Sequence, residues 1–157
     1  MYGPGPVRFQ KWPGGRVRHI KNYVTSHLQE EKPDIVLIQA GGNDIGTKTE
    51  DGNPITSDMI AEDLIGIAQR ARSLGAKHVF IGGITMRSNR SFTNGCNKLN
   101  NTLESRCIAH GFVYIDNNEI LPEHTYDGVH LDDKGTSLLA NNYLYALRLK
   151  MNGFTLG

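Results

Sequence analysis

The chain has 157 residues, is 38% hydrophobic and 21% charged, and carries a formal net charge of +1. This length fits one domain, and we expect a single domain over residues 1–157. The apolar fraction and the low charge exclude a disordered chain, the lack of an 18-residue apolar run in the sequence excludes a membrane span, and two cysteines exclude a disulfide scaffold.

The first half of the chain predicts two strands around one helix. A weak strand signal at Val7–Gln10 is closed by a Pro-Gly-Gly turn. From Val17, apolar residues at steps of three and four predict a helix that ends before Pro33. The apolar run Ile35–Ala40 predicts a strand buried on both faces, and it leads into the turn Gly41–Asp44.

The second half continues the alternation of helices and strands. Thr56 or Ser57 is expected to cap a helix that stops at Gly75. The further predicted elements are a strand at His78–Ile84, a loop at Met86–Asn94, a helix ending at Gly111, a strand at Phe112–Ile115, a polar loop at Asp116–Lys134 and a helix at Thr136–Lys150.

This alternation predicts an α/β fold, a three-layer α/β/α sandwich with a mostly parallel sheet. In such folds ligand sites lie beyond the carboxyl ends of the strands. Three features of the sequence come at that edge: Gly14, the turn Gly41–Asp44 and the loop Asp116–Lys134. Residues that carry chemistry are therefore expected in these three segments.

The loop after the last strand holds Asp127 three residues before His130. A carboxylate that binds one ring nitrogen of an imidazole leaves the other nitrogen as a general base. The same spacing also fits two solvated loop residues.

The turn after the buried strand holds a candidate donor in Asn43. A side-chain amide aimed into a pocket can donate to an oxyanion, and the backbone N–H of Gly14 is a second candidate donor. The alternative is an ordinary strand-to-helix turn at Asn43 and a plain turn after Pro13, because Gly and Asn are common turn residues.

Together, these segments resemble the SGNH hydrolase superfamily, the GDSL-type esterases and lipases, from Val7 to about Leu149. The resemblance implies a flavodoxin-like sheet and hydrolysis of carboxylic esters by Ser-His-Asp chemistry without a cofactor. It makes His130 the general base, Asp127 its orienting partner, and Asn43 and Gly14 the oxyanion donors. The expected substrate-pocket residues are Gly42, Asp44, Ser88 and Val129.

One part of the family pattern has no counterpart here. The family's Gly-Asp-Ser block should precede Gly14, yet the 13 residues before it include no Ser, Thr or Cys. We therefore expect a chain truncated relative to the family, without its first strand and nucleophile turn. Because that strand lies inside a 2-1-3-4-5 sheet, we expect the open edge of Ile35–Ala40 to pair with Val7–Gln10 or with a second chain in a homodimer.

Other residues offer alternative chemistries. Ser88 and Ser91 are candidate substitute nucleophiles, and the less favoured ones are Ser57, Cys96 and Cys107. A metal site is a further alternative, with the ligands His124, Asp127 and His130 and with Asp132 and Asp133 nearby. The resemblance accounts for Asp127 and His130 without a metal.

Two classes of function follow from the sequence. The first is an SGNH-type esterase whose activity is weak or absent for lack of a serine. The second is a non-catalytic protein that keeps the pocket and either self-associates or binds acidic partners through the basic segment Arg8–Lys21, which also fits a solvated helix start. We expect a small acylated ligand, no nucleic acid, no membrane and, without a signal peptide, a cytoplasmic location.

Overall fold

A computed structural model describes residue 10 and residues 15–152 of the chain. Its helices are α1 (Val17–Glu31), α2 (Ser57–Ser73), α3 (Arg90–His110) and α4 (Asp133–Met151), and its strands are β1 (Ile35–Ile38), β2 (His78–Gly82) and β3 (Val113–Ile115). Short 3₁₀ turns lie at Gly42–Asp44 and Pro122–His124. The predicted strand Val7–Gln10, apart from its last residue, and the predicted donor Gly14 lie outside the described residues.

The three strands form a parallel sheet in the order β1-β2-β3. Ile35 of β1 lies opposite His78 of β2, and Phe80 of β2 lies opposite Val113 of β3. Since consecutive strands are neighbours, α2 and α3 are the crossover helices. All the carboxyl ends of the strands therefore meet at one edge of the sheet, where the candidate residues were expected.

Helices lie on both faces of this sheet. Helix α2 contacts α1, α3, β1 and β2, and α3 contacts β3, so these three helices form one layer. The main core lies between that layer and one face of the sheet, which presents Val36, Ile38, Val79 and Ile81. Helix α4 instead contacts β3 from the other face. The predicted three-layer α/β/α arrangement is confirmed.

Local capping explains where the helices begin and end. The Thr56 side chain accepts a hydrogen bond from the backbone N–H of Met59, as expected for a cap of α2. Helix α3 ends at Gly111, whose φ of +75° is a backbone angle that favours glycine. The predicted loop Met86–Asn94 is too long, because the Asn89 side chain caps α3 and the helix begins at Arg90.

Strand β1 differs from its prediction in two ways. It ends at Ile38 rather than Ala40, and only one of its faces is buried. Ile35 and Leu37 stay 39% and 43% exposed. The expectation of burial on both faces is wrong because α4 contacts β3 and, among the described residues, no helix layer covers this face of β1.

The edge of β1 opposite β2 has no partner strand among residues 10 and 15–152. Its pairing with Val7–Gln10 or with a second chain stays a prediction. Within the same residues, none of the helices combines the length and apolar character that crossing a bilayer requires.

Candidate active site

The structure brings Asp127 and His130 into direct contact. His130 Nδ1 lies 2.5 Å from Asp127 Oδ2. The other carboxylate oxygen, Oδ1, accepts from the backbone N–H groups of His130 at 2.6 Å and of Val129 at 2.9 Å. The carboxylate therefore holds both the ring and the backbone of His130. With Nδ1 engaged, Nε2 is the ring atom that can act as a base.

These hydrogen bonds also stabilise the charged form of Asp127. The backbone N–H of His130 and the His130 ring favour the carboxylate form and lower its pKa from 3.8 to about 2. The His130 side chain stays 66% exposed, so an incoming molecule can reach the ring. The ring of Tyr126 stacks on it, with centroids 5.7 Å apart and planes 16° apart.

The loop that carries the pair is a tight turn held by its neighbours. Gly128 has a φ of +85°, and its N–H donates to Thr125 Oγ1 at 3.0 Å. The backbone N–H of Ser88 donates to the Gly128 carbonyl at 3.1 Å. A Cβ on residue 128 would come within 2.8 Å of Ser88 Oγ. Glycine is therefore needed here both for its backbone angle and for the close approach of Ser88.

The second part of the site is the 3₁₀ turn that follows β1. Gly41 precedes it with a φ of +115° and packs close to Ile60 and Ile84. Asp44 is buried at 1% exposure, and its Oδ2 accepts from the Val17 N–H at the start of α1. Burial raises the pKa of this carboxyl, while the N–H groups of α1 oppose the rise. Asp44 therefore caps α1, whereas the sequence predicted that it lines the substrate pocket.

The amide of Asn43 lies at the surface of this turn with both ends engaged. Its Nδ2 donates to the Gly15 carbonyl at 3.3 Å, and its Oδ1 accepts from Arg87 Nη2 at 3.2 Å. The Arg87 contact fixes which end of the amide is the donor, because arginine only donates. Asn43 Nδ2 is thus oriented as a donor, as the oxyanion role requires.

Two buried asparagines hold the segment that follows β2. The Asn100 side chain accepts from the N–H of Ile84 at 2.7 Å and donates to its carbonyl at 3.0 Å. Asn117 donates to the carbonyl of Gly83 at 2.9 Å. This segment continues to Arg87 and Ser88, which contact the two halves of the site. Neither asparagine was predicted from the sequence, although Asn100 lies beside the apolar residues of α3.

A cavity of about 230 Å³ lies at the carboxyl ends of β1 and β2. Its wall combines the turn after β1 with the segment after β2, and it is lined by Gly15, Ile20, Gln39, Ala40, Gly41, Gly42, Asn43, Ile84, Thr85 and Arg87. Of the predicted pocket residues, Gly42 lines this cavity. Val129 belongs to the neighbouring loop that carries Asp127 and His130, and Ser88, in the segment after β2, contacts that loop. Arg87 is the charged residue among those that line the cavity, and no motif in the sequence indicated it.

The alternative nucleophiles lie in different surroundings. Cys96 and Cys107 are buried in α3, and burial raises the pKa of each thiol to about 11, so neither is a thiolate at neutral pH. Ser57 is the first residue of α2, and Ser91 lies in the first turn of α3. Ser88 is exposed next to Gly128.

The described part of the chain holds no group of three or more His, Cys, Asp or Glu side chains placed to bind a metal ion. His124 Nδ1 instead accepts from the N–H of Leu121 at 3.0 Å. Asp132 caps α4 by accepting from the N–H of Gly135. His124 and Asp132, two residues of the predicted metal site, therefore have local structural roles.

Comparisons with known proteins agree with this architecture. Residues 4–138 match the GDSL-like Lipase/Acylhydrolase family. A GDSL-like lipase from Bacteroides thetaiotaomicron is 17% identical, with a TM-score of 0.74 over 86% of this chain and 72% of that one. A catalytic mutant of Axe2, an acetylxylan esterase from Geobacillus stearothermophilus, is 17% identical, with a TM-score of 0.72 over 84% and 67%. No curated protein sequence matches this chain.

Proposed function

Because the chain belongs to the GDSL-like lipase/acylhydrolase family, we propose that it binds carboxylic esters at the carboxyl edge of its sheet, with His130 as the general base. The observation that carries the proposal is the 2.5 Å contact between His130 Nδ1 and Asp127 Oδ2. In this arrangement Nε2 accepts the proton of an attacking hydroxyl group, and the Asp127 carboxylate stabilises the imidazolium that results.

Asn43 supplies the electrostatic part of the proposal. When a hydroxyl attacks an ester carbonyl, negative charge develops on the carbonyl oxygen, and an oriented N–H donor lowers the energy of that state. Asn43 Nδ2 makes only a long 3.3 Å bond to the Gly15 carbonyl, which an ester oxygen can replace at small cost. The Gly14 N–H, which the resemblance assigns as a second donor, belongs to the same proposal.

The expected rate of ester hydrolysis is limited because the family's nucleophile is missing from this sequence. Residues 1–14 contain no Ser, Thr or Cys, so the hydroxyl of the family's first block has no counterpart in this sequence. From these 157 residues by themselves we therefore expect weak ester hydrolysis or none. The same observation favours a second candidate, a non-catalytic protein that keeps the pocket and binds an acylated ligand without turning it over.

One assay separates the two candidates. The purified 157-residue chain is incubated with p-nitrophenyl acetate and, separately, with a fluorophosphonate probe. The esterase proposal predicts slow hydrolysis that His130→Ala abolishes. Unchanged hydrolysis in His130→Ala contradicts it, and a folded chain with neither turnover nor labelling supports the binding protein. Labelling that requires His130 would identify a substitute serine.

A matched control accounts for simple imidazole chemistry, because exposed histidines attack activated esters directly. His110 is exposed at the end of α3, where its Nδ1 lies 3.3 Å from Gln69 Nε2, at the opposite end of the sheet from the dyad. His110→Ala should therefore keep the hydrolysis rate. An equal loss in the two variants would show that the rate comes from exposed imidazoles and not from the site.

A further inference from the structure

Arg87 lies in the cavity wall with an environment that does not neutralise its charge. Its Nη2 donates to Asn43 Oδ1 at 3.2 Å, and its guanidinium lies over the ring of Phe92, 4.4 Å from the centroid. Among the described residues no Asp or Glu forms an ion pair with Arg87. The residues outside the description, 1–9, 11–14 and 153–157, contain no Asp or Glu at all.

The surroundings of Arg87 are shaped to hold its guanidinium at this place. A Cβ on residue 42 would come within 2.8 Å of Arg87 Nη2, so the glycine leaves the space that the guanidinium uses. The Phe92 ring supports its other side. The Arg87 side chain is half-buried, and this burial lowers the pKa of its guanidinium. An arginine has five N–H donors, and the Asn43 contact uses one of them.

We propose that Arg87 is a specificity residue that binds a carboxylate carried by the acylated ligand, close to the ester carbonyl held by Asn43. A carboxylate here would receive charge-assisted hydrogen bonds from the remaining N–H groups, in the two-pronged geometry that guanidinium favours. It would also give the partly buried cation the anionic partner that the described residues do not provide. This inference rests on the proposed function, since it places an acyl compound in the cavity.

The cavity accommodates a short ligand chain. Its volume is about 230 Å³. A half-ester of a short dicarboxylic acid fits such a space. The Asn43 contact also places the two polar ends of the ligand near each other, because Asn43 and Arg87 are in direct contact.

The test compares two esters of the same shape. Monomethyl succinate carries a carboxylate, and methyl succinamate carries a neutral amide in its place. Binding to the full chain is followed by NMR titration at constant ionic strength. We expect the charged ester to bind about tenfold or more tightly than the neutral one. Arg87→Gln should remove this preference, and Arg87→Lys should retain part of it.

Arg72→Gln is the matched control. Arg72 also lies over a phenylalanine ring, 3.9 Å from the centroid of Phe112, but it donates to the carbonyls of His110 and Gly111 at the other end of the sheet. This variant should keep the preference for the charged ester. Circular dichroism shows whether each variant is folded, and Arg87→Lys provides a second variant if Arg87→Gln is not.

Three results would overturn the inference: equal binding of the two esters, a preference that survives in Arg87→Gln, or no binding of either ester. With equal binding, the role of Arg87 is limited to orienting Asn43. The proposed esterase function is decided separately, because it depends on whether hydrolysis requires His130 and not on the charge of the ligand.

Discussion

Asp127 has the most strongly perturbed carboxylate of the site, and the perturbation is itself measurable. It accepts two backbone hydrogen bonds and one from the His130 ring, and its pKa falls to about 2. A carboxylate with a lowered pKa stabilises the folded loop at all pH values above the ordinary range. That contribution is lost progressively as the pH falls from the ordinary pKa of 3.8 through about 2.

We predict that the Asp127 carboxyl carbon titrates with a midpoint near 2 in an NMR experiment on the native chain. His130→Ala removes the ring contact but keeps the backbone N–H, so the midpoint should rise part of the way towards the ordinary value of 3.8. A native midpoint already at the ordinary value would show that the pair does not form in solution.

At this scale the sequence predicted some roles and not others. The spacing of Asp127 and His130 is local, so a tight turn was enough to predict their contact. Asp44 could not be placed from the sequence, because successive side chains of a 3₁₀ turn point about 120° apart and only one of them faces the cavity. The contact of Arg87 with Asn43 spans 44 residues and exists only once the sheet has formed.

Among the secondary-structure elements, the 3₁₀ turn after β1 packs against the side chain of Arg87. Gly42 has no Cβ, and Arg87 fills the space that a Cβ would need. Gly66, in contrast, lies exposed in the middle of α2 with no atom near the position of its missing Cβ. The two glycines form a matched pair, one with a packing reason and one without.

We predict that Gly42→Ala displaces the Arg87 guanidinium, shifts the side-chain amide signals of Asn43 and weakens the preference for monomethyl succinate. Gly66→Ala should leave those signals in place and raise the free energy of unfolding by about 0.5–1 kcal/mol, because alanine favours a helix interior. NMR spectra and urea unfolding measure the two effects. Unchanged Asn43 signals in Gly42→Ala would contradict the packing role.

The helices were more predictable than the strand burial. Periodicity and the proline after α1 gave both ends of that helix, and Thr56 gave the start of α2. The pattern Ile-Val-Leu-Ile of β1 shows that both faces suit burial, but it cannot show whether the structure covers both. Leu37 is exposed because α4 packs on β3 and, among the described residues, no helix layer covers this face of β1.

Over the whole molecule, the candidate site is a product of the parallel sheet. Asn43 follows β1, Arg87 and Ser88 follow β2, and His130 lies in the loop after β3. These segments are far apart in sequence, and the parallel arrangement brings them to one edge. The fold class and this edge were predictable from the alternation of elements, while the contacts that join the segments were not.

The central claim is that these segments form one ester-binding site, and a titration of the native chain with methyl butyrate tests it most directly. We predict that the backbone amide shifts change together in three segments: residues 41–43, residues 85–88 and residues 126–131. All three should follow one binding curve. Changes confined to a single segment, or centred on the exposed face of β1 around Leu37, would contradict the account.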